Sequence, residues 1–325
     1  MPTSHPTRRR AATSLFAGTL ALAMPLAGRA QPAKTLRIGY QKSSTLITIL
    51  KAQRTLEEQL APRGVQVSWH EFTSGQPLLE ALNTGNVDLS ADVADTVPLF
   101  AQAVGAELTY YARESPAPAA QAIVVREDSP IRTAADLKGK KIGFAKAAGA
   151  HYLVLAVLER AGLKLSDIQP AYLTPADGRA AFDRGAIDAW AIWDPFYAAV
   201  QLQDKVRVLA DGSGGLASYA RYYLAASRYA QANPETVRTV FEALRAAGTW
   251  AKRDPAAAAA LLAPIWGIDR AIIETANARR SYDIQPVRAD NLADQQRIAD
   301  AFFAEKLLPR KVIAADARIW TPPGS

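Results

Sequence analysis

The sequence predicts an α/β protein built as two lobes with a cleft between them, on three observations. Apolar segments switch repeatedly between a period of two and the helical period, giving the order β-α-β-α-β and then repeating it. A local device recurs: Gly85 and then Val87-Asp88-Leu89, Gly185 and then Ile187-Asp188-Ala189. Each copy closes a helix-like segment (76–84 and 175–184) and opens a strand that runs to acidic ends, Asp92 and Asp95 in the first copy and Asp194 in the second. Finally, no Gly/Ser/Pro linker divides the chain, so the lobes are expected to share strands that cross over twice, at 120–125 and 219–224.

The elements follow in order. Strands are expected at 35–40, 65–72, 87–91 and 108–113, separated by helices at 46–60, 77–82 and 98–104. The second run has strands at 120–125, 141–144, 170–173, 187–192, 206–209 and 221–225. Its helices fall at 134–137, 152–161 (ended by Gly162), 177–183 and 196–203. Beyond Asn233-Pro234, a helix start with Pro at the first helical position, the chain reads as helical almost throughout to Leu308. The Ala-rich 256–260 is a helix interior after Asp254-Pro255. These assignments place lobe one at 35–120 plus 222–325 and lobe two at 121–221.

Arg8, Arg9 and Arg10 precede an uncharged apolar run, and Gly28-Arg29-Ala30 supplies small residues before a cleavage point at Gln31. Residues 1–30 therefore read as an export signal, by either the general or the twin-arginine route, and too short a run to anchor in a bilayer. The chain has no Cys, which removes a disulfide framework, a thiolate nucleophile and a lipidated mature N-terminus. Export without an anchor points to the periplasm. Without Arg8, Arg9, Arg10 and Arg29 the balance is 34 basic against 31 acidic residues, interspersed, so the high isoelectric point carries no argument for nucleic acid.

Three turns rich in small or hydroxyl residues lead into helices: 41–45, 73–76 and 146–151. Helix N-termini offer free N–H donors and the positive dipole end, so several converging on a cleft would hold an anion; the plain alternative is ordinary capping. His70 reads as structural, and His151 sits inside a candidate ligand turn. No G-x-S-x-G, phosphate-loop or paired-His metal spacing occurs, so neither a catalytic residue nor a metal or other cofactor is expected. The Gly-rich 211–215 reads as a hinge or hairpin loop.

The segments LRIGYQK (36–42), FAQAVGAEL (100–108), DIQPAYLTPA (167–176), LTPADGRAAF (173–182), GAIDAWAIWDP (185–195) and Arg318-Ile319-Trp320 resemble the periplasmic aliphatic sulfonate-binding proteins of ABC importers. The likeness runs from Leu36 to Pro322, and nitrate-, taurine- and thiamine-precursor-binding proteins share the wider group. The resemblance implies a two-lobed periplasmic binding protein (type II-like), each lobe a mixed sheet flanked by helices, closing by hinge motion on a small organosulfur anion. It implies a monomer handing its ligand to an inner-membrane ABC permease, a transport or sensory role, and no enzyme. An enzyme on the same scaffold, or a receptor for taurine, nitrate, a sulfate ester or a thiamine precursor, is the alternative.

Carried over by position, the ligand residues implied are Gln41, Ser43 and Ser44; Ser74 and Gly75; Asp95 and Thr96; Gly149, Ala150 and His151; and the pair Trp193 and Asp194. Two departures stand out. Ala147, Ala148 and Gly149 replace hydroxyl residues of the family's turn. Segment 90–98 carries an extra residue and an extra acid, Asp92, expected near the pocket mouth, where an unpaired acid disfavours an anion.

Overall fold

The computed structural model describes residues 34–322, and the export signal read at 1–30 lies outside them. The strands are β1 Lys34–Gln41, β2 Val65–Phe72, β3 Leu89–Ser90, β4 Val93–Ala94, β5 Leu108–Glu114, β6 Gln121–Arg126, β7 Lys141–Phe144, β8 Gln169–Tyr172, β9 Ala189–Trp193, β10 Val206–Asp211, β11 Arg221–Ala226, β12 Ile284–Gln285 and β13 Arg318–Ile319. The helices are α1 Thr45–Ala52, α2 Thr55–Leu60, α3 Gly75–Asn83, α4 Val97–Ala103, α5 Gly149–Arg160, α6 Pro175–Asp183, α7 Phe196–Gln203, α8 Ser227–Ala232, α9 Pro234–Arg253, α10 Pro255–Trp266, α11 Arg270–Ala278 and α12 Ala293–Ala304.

Among the described residues these strands form two mixed sheets. One runs β12-β5-β11-β3-β1-β2, with β4 on β11 and β13 on β5; the other runs β10-β6-β9-β7-β8. Each sheet contains the same parallel trio, β3-β1-β2 in one and β9-β7-β8 in the other. Parallel strands need helical crossovers, and α1–α3 serve the first trio as α5 and α6 serve the second. Antiparallel strands complete both sheets. The chain passes from one sheet to the other at 115–120 and returns at 212–220, a stretch that includes most of the Gly-rich loop.

The recurring Val/Ile-Asp device has a concrete role. Asp88 accepts from the backbone N of Arg37 at 2.9 Å and donates its own N–H to Arg37 O at 2.8 Å. Asp188 does the same with Lys141, at 2.8 Å in each direction. In both sheets the aspartate clips the incoming strand to the central strand of the trio, which sets register where a one-residue slip would turn the apolar face outward. It is a folding device and contributes nothing to the cleft directly.

Three assignments differ from the sequence reading. The helix expected over 46–60 breaks into α1 and α2 because Arg54 takes a left-handed conformation at φ 55°. The strand expected over 87–91 shortens to β3, and a further short strand, β4, follows it with Asp92 turned inward between them. The helical stretch to Leu308 is interrupted at β12, where buried Ile284 pairs with Glu114 of β5 and sheet pairing overrides local preference.

One apolar core lies under α1, α9 and α10, around Ile38, Leu50, Leu244 and Leu262. A larger one is continuous from Leu78, Val93 and Leu99 through Ile123, Leu153 and Trp193, so the lobes are packed against each other. Phe302 of α12 sits in this seam, with ring centroids 4.9 Å from Phe100 on one side and 5.0 Å from His151 on the other.

Candidate functional site

The loops at the C-terminal ends of parallel strands converge on a cavity of about 340 Å³, part of it open to solvent. Gln41 ends β1. Ser74, Gly75 and Gln76 open α3 after β2. Lys146, Ala148 and Gly149 lead from β7 into α5, and Trp193 ends β9; Tyr219 and Arg221 stand where the chain re-enters the first sheet.

Two helix N-termini, one from each lobe, therefore border the same space. The first-turn N–H groups of a helix have no intrahelical acceptor, and together with the dipole they favour an anion. Neither Ser74 before α3 nor Ala148 before α5 uses a side chain as a cap, so those donors are not already satisfied locally. Gly149 is required by a close approach: a Cβ there would lie 2.4 Å from the Tyr219 ring. The ring thereby packs directly on the start of α5.

The buried cation of the site is Arg221, and Lys146 lies exposed on the same rim. Arg221 is 2 % exposed, its Nη1 donates to Tyr219 Oη at 2.9 Å, and its Nε lies 2.5 Å from Asp92 Oδ2, an ion pair too bent for a good hydrogen bond. Its Nη2 is buried with no partner. A guanidinium N–H left unpaired in a cavity wall costs free energy that an oxyanion would recover.

Asp92 is not at the mouth of the pocket, as expected from its position, but fully buried behind it. Arg280 bonds Asp92 at 3.0 Å, Glu114 at 2.5 and 2.6 Å, and the carbonyl of Ser43 at 3.3 Å. Burial works to raise the Asp92 carboxyl, but the guanidinium groups of Arg221 and Arg280 outweigh it and hold it below the usual carboxylate range. The extra acid is thus neutralised. None of the residues lining the cavity is acidic.

Of the residues carried over by position, Gln41, Ser74, Gly75, Gly149 and Trp193 line the cavity. The others stand behind it. Ser44 Oγ accepts from Gln41 N at 3.2 Å, and the Ser43 carbonyl is held by Arg280. Asp95 accepts from Ala220 N at 3.0 Å in the returning crossover, and burial pushes its carboxyl up to about 7 against that bond. Thr96 donates to Ala147 O at 2.6 Å, while Ala147 N donates to His151 Nδ1 at 3.2 Å, so the two side chains fix the turn before α5 from opposite sides. Ala150 is the second residue of α5 and fully buried. Asp194 accepts from Arg279 at 2.8 and 3.0 Å and from Ala198 N at 3.0 Å, and burial raises it to about 6 despite Arg279.

His151 is a packing residue, with rings of Phe144, Tyr172 and Phe302 around it. Burial, assisted by Lys146, pushes its pKa down to about 3. The unfolded chain binds a proton near 6.5 and the folded one does not until about 3, so His151 costs stability as pH falls through that window. The expected outcome is a loss of up to about 1.4 kcal/mol per pH unit below 6.5 from this group alone. Urea unfolding of His151→Leu across pH 4 to 7 should show a shallower acid limb than the wild type; parallel curves would contradict this.

Arg221, Tyr219, Gln76 and Lys146 were not singled out as site residues from sequence. One signal for Arg221 was available: a lone charge at the head of the apolar strand Arg221–Ala226, all of which is buried.

The family model described as "NMT1/THI5 like" matches residues 61–258. A putative aliphatic sulfonates-binding protein of Escherichia coli (strain K12) is 43% identical over 94% of this chain and 95% of its own length. The alkanesulfonate-binding protein SsuA from Xanthomonas axonopodis pv. citri, solved with MOPS, superposes with a TM-score of 0.83 at 43% identity, covering 90% of this chain and 99% of that one. The periplasmic aliphatic sulphonate-binding protein SsuA from Escherichia coli gives 0.80 at 44% identity, covering 89% and 92%. The chain belongs to the NMT1/THI5-like family and, within it, is a close homologue of the aliphatic sulfonate-binding proteins.

Proposed function

We propose that the chain is a periplasmic receptor that closes on an aliphatic sulfonate and delivers it, as a monomer, to an ABC importer. One observation carries the reading: the N-termini of α3 and α5, from opposite lobes, border one cavity with buried Arg221, whose Nη2 has no partner. A sulfonate has three oxyanion acceptors and would draw donors from both lobes at once, which couples binding to closure. In this reading Ser74 Oγ and the N–H groups of Gly75, Gly149 and Ala150 bind oxygen, and Trp193 and Tyr219 pack on the carbon next to sulfur. Asp95, Thr96, His151 and Asp194 support these groups from behind.

The acid-free lining favours a plain alkanesulfonate over taurine, whose ammonium would lack a carboxylate partner. A binding role, not a catalytic one, is supported by His151, whose Nδ1 is engaged in holding the turn and leaves Ser74 without a general base. A thermal-shift panel tests the reading. Ethanesulfonate at one hundred times its Kd should stabilise the protein by about 2.7 kcal/mol. Taurine, nitrate and sulfate should do less, and an equal or larger effect of nitrate or taurine would redirect the ligand class.

A further inference from the structure

We infer that Arg279 is a positioning residue that latches the lobes together without touching the ligand, and so sets the affinity for every sulfonate by the same factor; this rests on the closing-receptor reading. Arg279 ends α11, which follows the return crossing at 212–220 and packs on α10 of the first lobe. Its partners lie between the two crossings, on β9 and α7 of the second lobe. Nη1 donates to both carboxylate oxygens of Asp194, at 2.8 and 3.0 Å, and Nη2 donates to Gln201 Oε1. The guanidinium also lies 4.1 Å from the centre of the Tyr197 ring. A planar fork of donors suits such a set, in which one cation serves a carboxylate, an amide and an aromatic face.

The helices beneath hold this contact in place. Ile272, Ala276 and Arg279 recur at helical spacing on one face of α11, and Ile272 and Ala276 bury against Ala198 of α7. Tyr197 and Gln201, one turn apart, present ring and amide to the same guanidinium. The next residue, Arg280, turns the other way, to Asp92 and Glu114 of the first sheet. Rotation of the lobes about the crossings carries α7 away from α11 and parts Arg279 from its partners. Neither Arg279 nor Asp194, Tyr197 or Gln201 lines the head-group cavity. A ligand that binds only the closed form has its intrinsic dissociation constant divided by the closed fraction. The latch raises that fraction whatever the ligand is.

Titration calorimetry and stopped-flow release with methanesulfonate and ethanesulfonate test the latch. Arg279→Met should weaken both sulfonates by about tenfold, within the usual range for a coupling of this kind, and by the same factor. The loss should appear mainly as faster release, since the latch resists opening. Gln201→Ala, at an exposed partner, should weaken both by about two- to threefold and serves if Arg279→Met does not fold. A residue that only holds the fold would lower the denaturation midpoint and leave the affinity of the folded protein unchanged. A residue that contacts the ligand would change the two affinities by different factors. Either result in a folded variant would overturn the latch while leaving the receptor reading standing. Failure of both sulfonates to bind the wild type would overturn both.

Discussion

Arg280→Met should destabilise the protein by about 3–5 kcal/mol, the usual loss when one partner of a buried ion pair is removed. Arg280 is 5 % exposed and ties three parts of the first sheet together: Glu114 at the end of β5, Asp92 between β3 and β4, and the Ser43 carbonyl before α1. Without it, two carboxylates stay buried with Arg221 as the remaining cation for Asp92. Glu114 keeps only the Tyr223 hydroxyl, at 2.7 Å, among its close partners. Burying a carboxylate without a counter-charge is what makes the loss large. Chemical denaturation at pH 7 measures it, and the double variant with Glu114→Gln, which leaves Asp92 paired with Arg221, should recover more than half. A loss under about 1 kcal/mol would show that the cluster contributes no more than a surface pair.

Arg221→Met should weaken an alkanesulfonate by on the order of 100-fold, from loss of a charge-assisted bond in a desolvated wall. Because Arg221 also faces Asp92, the single variant loses some stability too. The double variant with Asp92→Asn separates the effects: it should fold nearly as well as the wild type and still bind poorly. Lys146→Ala, an exposed cation on the same rim, should cost less than about fivefold, as solvent screens it. Titration calorimetry on the four proteins distinguishes a structural from a ligand-binding role for Arg221.

Much of the fold was legible in the sequence because apolar periodicity reports directly on burial. The parallel trios and the helices between them follow from it, and Asp88 and Asp188 mark equivalent points of the two sheets. The crossings expected in strands at 120–125 and 219–224 fall instead in the segments 115–120 and 212–220, because β6 and β11 each pair within a single sheet. The site was legible only in part. Turns leading into helices are visible as Ser74-Gly75 and Ala148-Gly149, since small residues leave the backbone donors of a helix start uncovered. Which side chain faces the cavity depends on packing that sequence does not carry. Thr96 and His151 occupy ligand-like positions yet both spend their polar atoms on Ala147. Asp92 looked like an obstacle to an anion, and only the three-dimensional pairing with Arg221 and Arg280 shows it buried and charge-compensated behind the cavity. Arg221 comes from the returning strand, more than a hundred residues after Ser74, so no local pattern links the two.

The most direct measurement is a crystal structure of the mature protein with an alkanesulfonate bound. The account predicts the sulfonate between the starts of α3 and α5, with oxygens at about 2.7–3.2 Å from Arg221 Nη2 and from backbone N–H groups of both helices. A sulfonate held by one lobe alone, or bound away from Arg221, would contradict it.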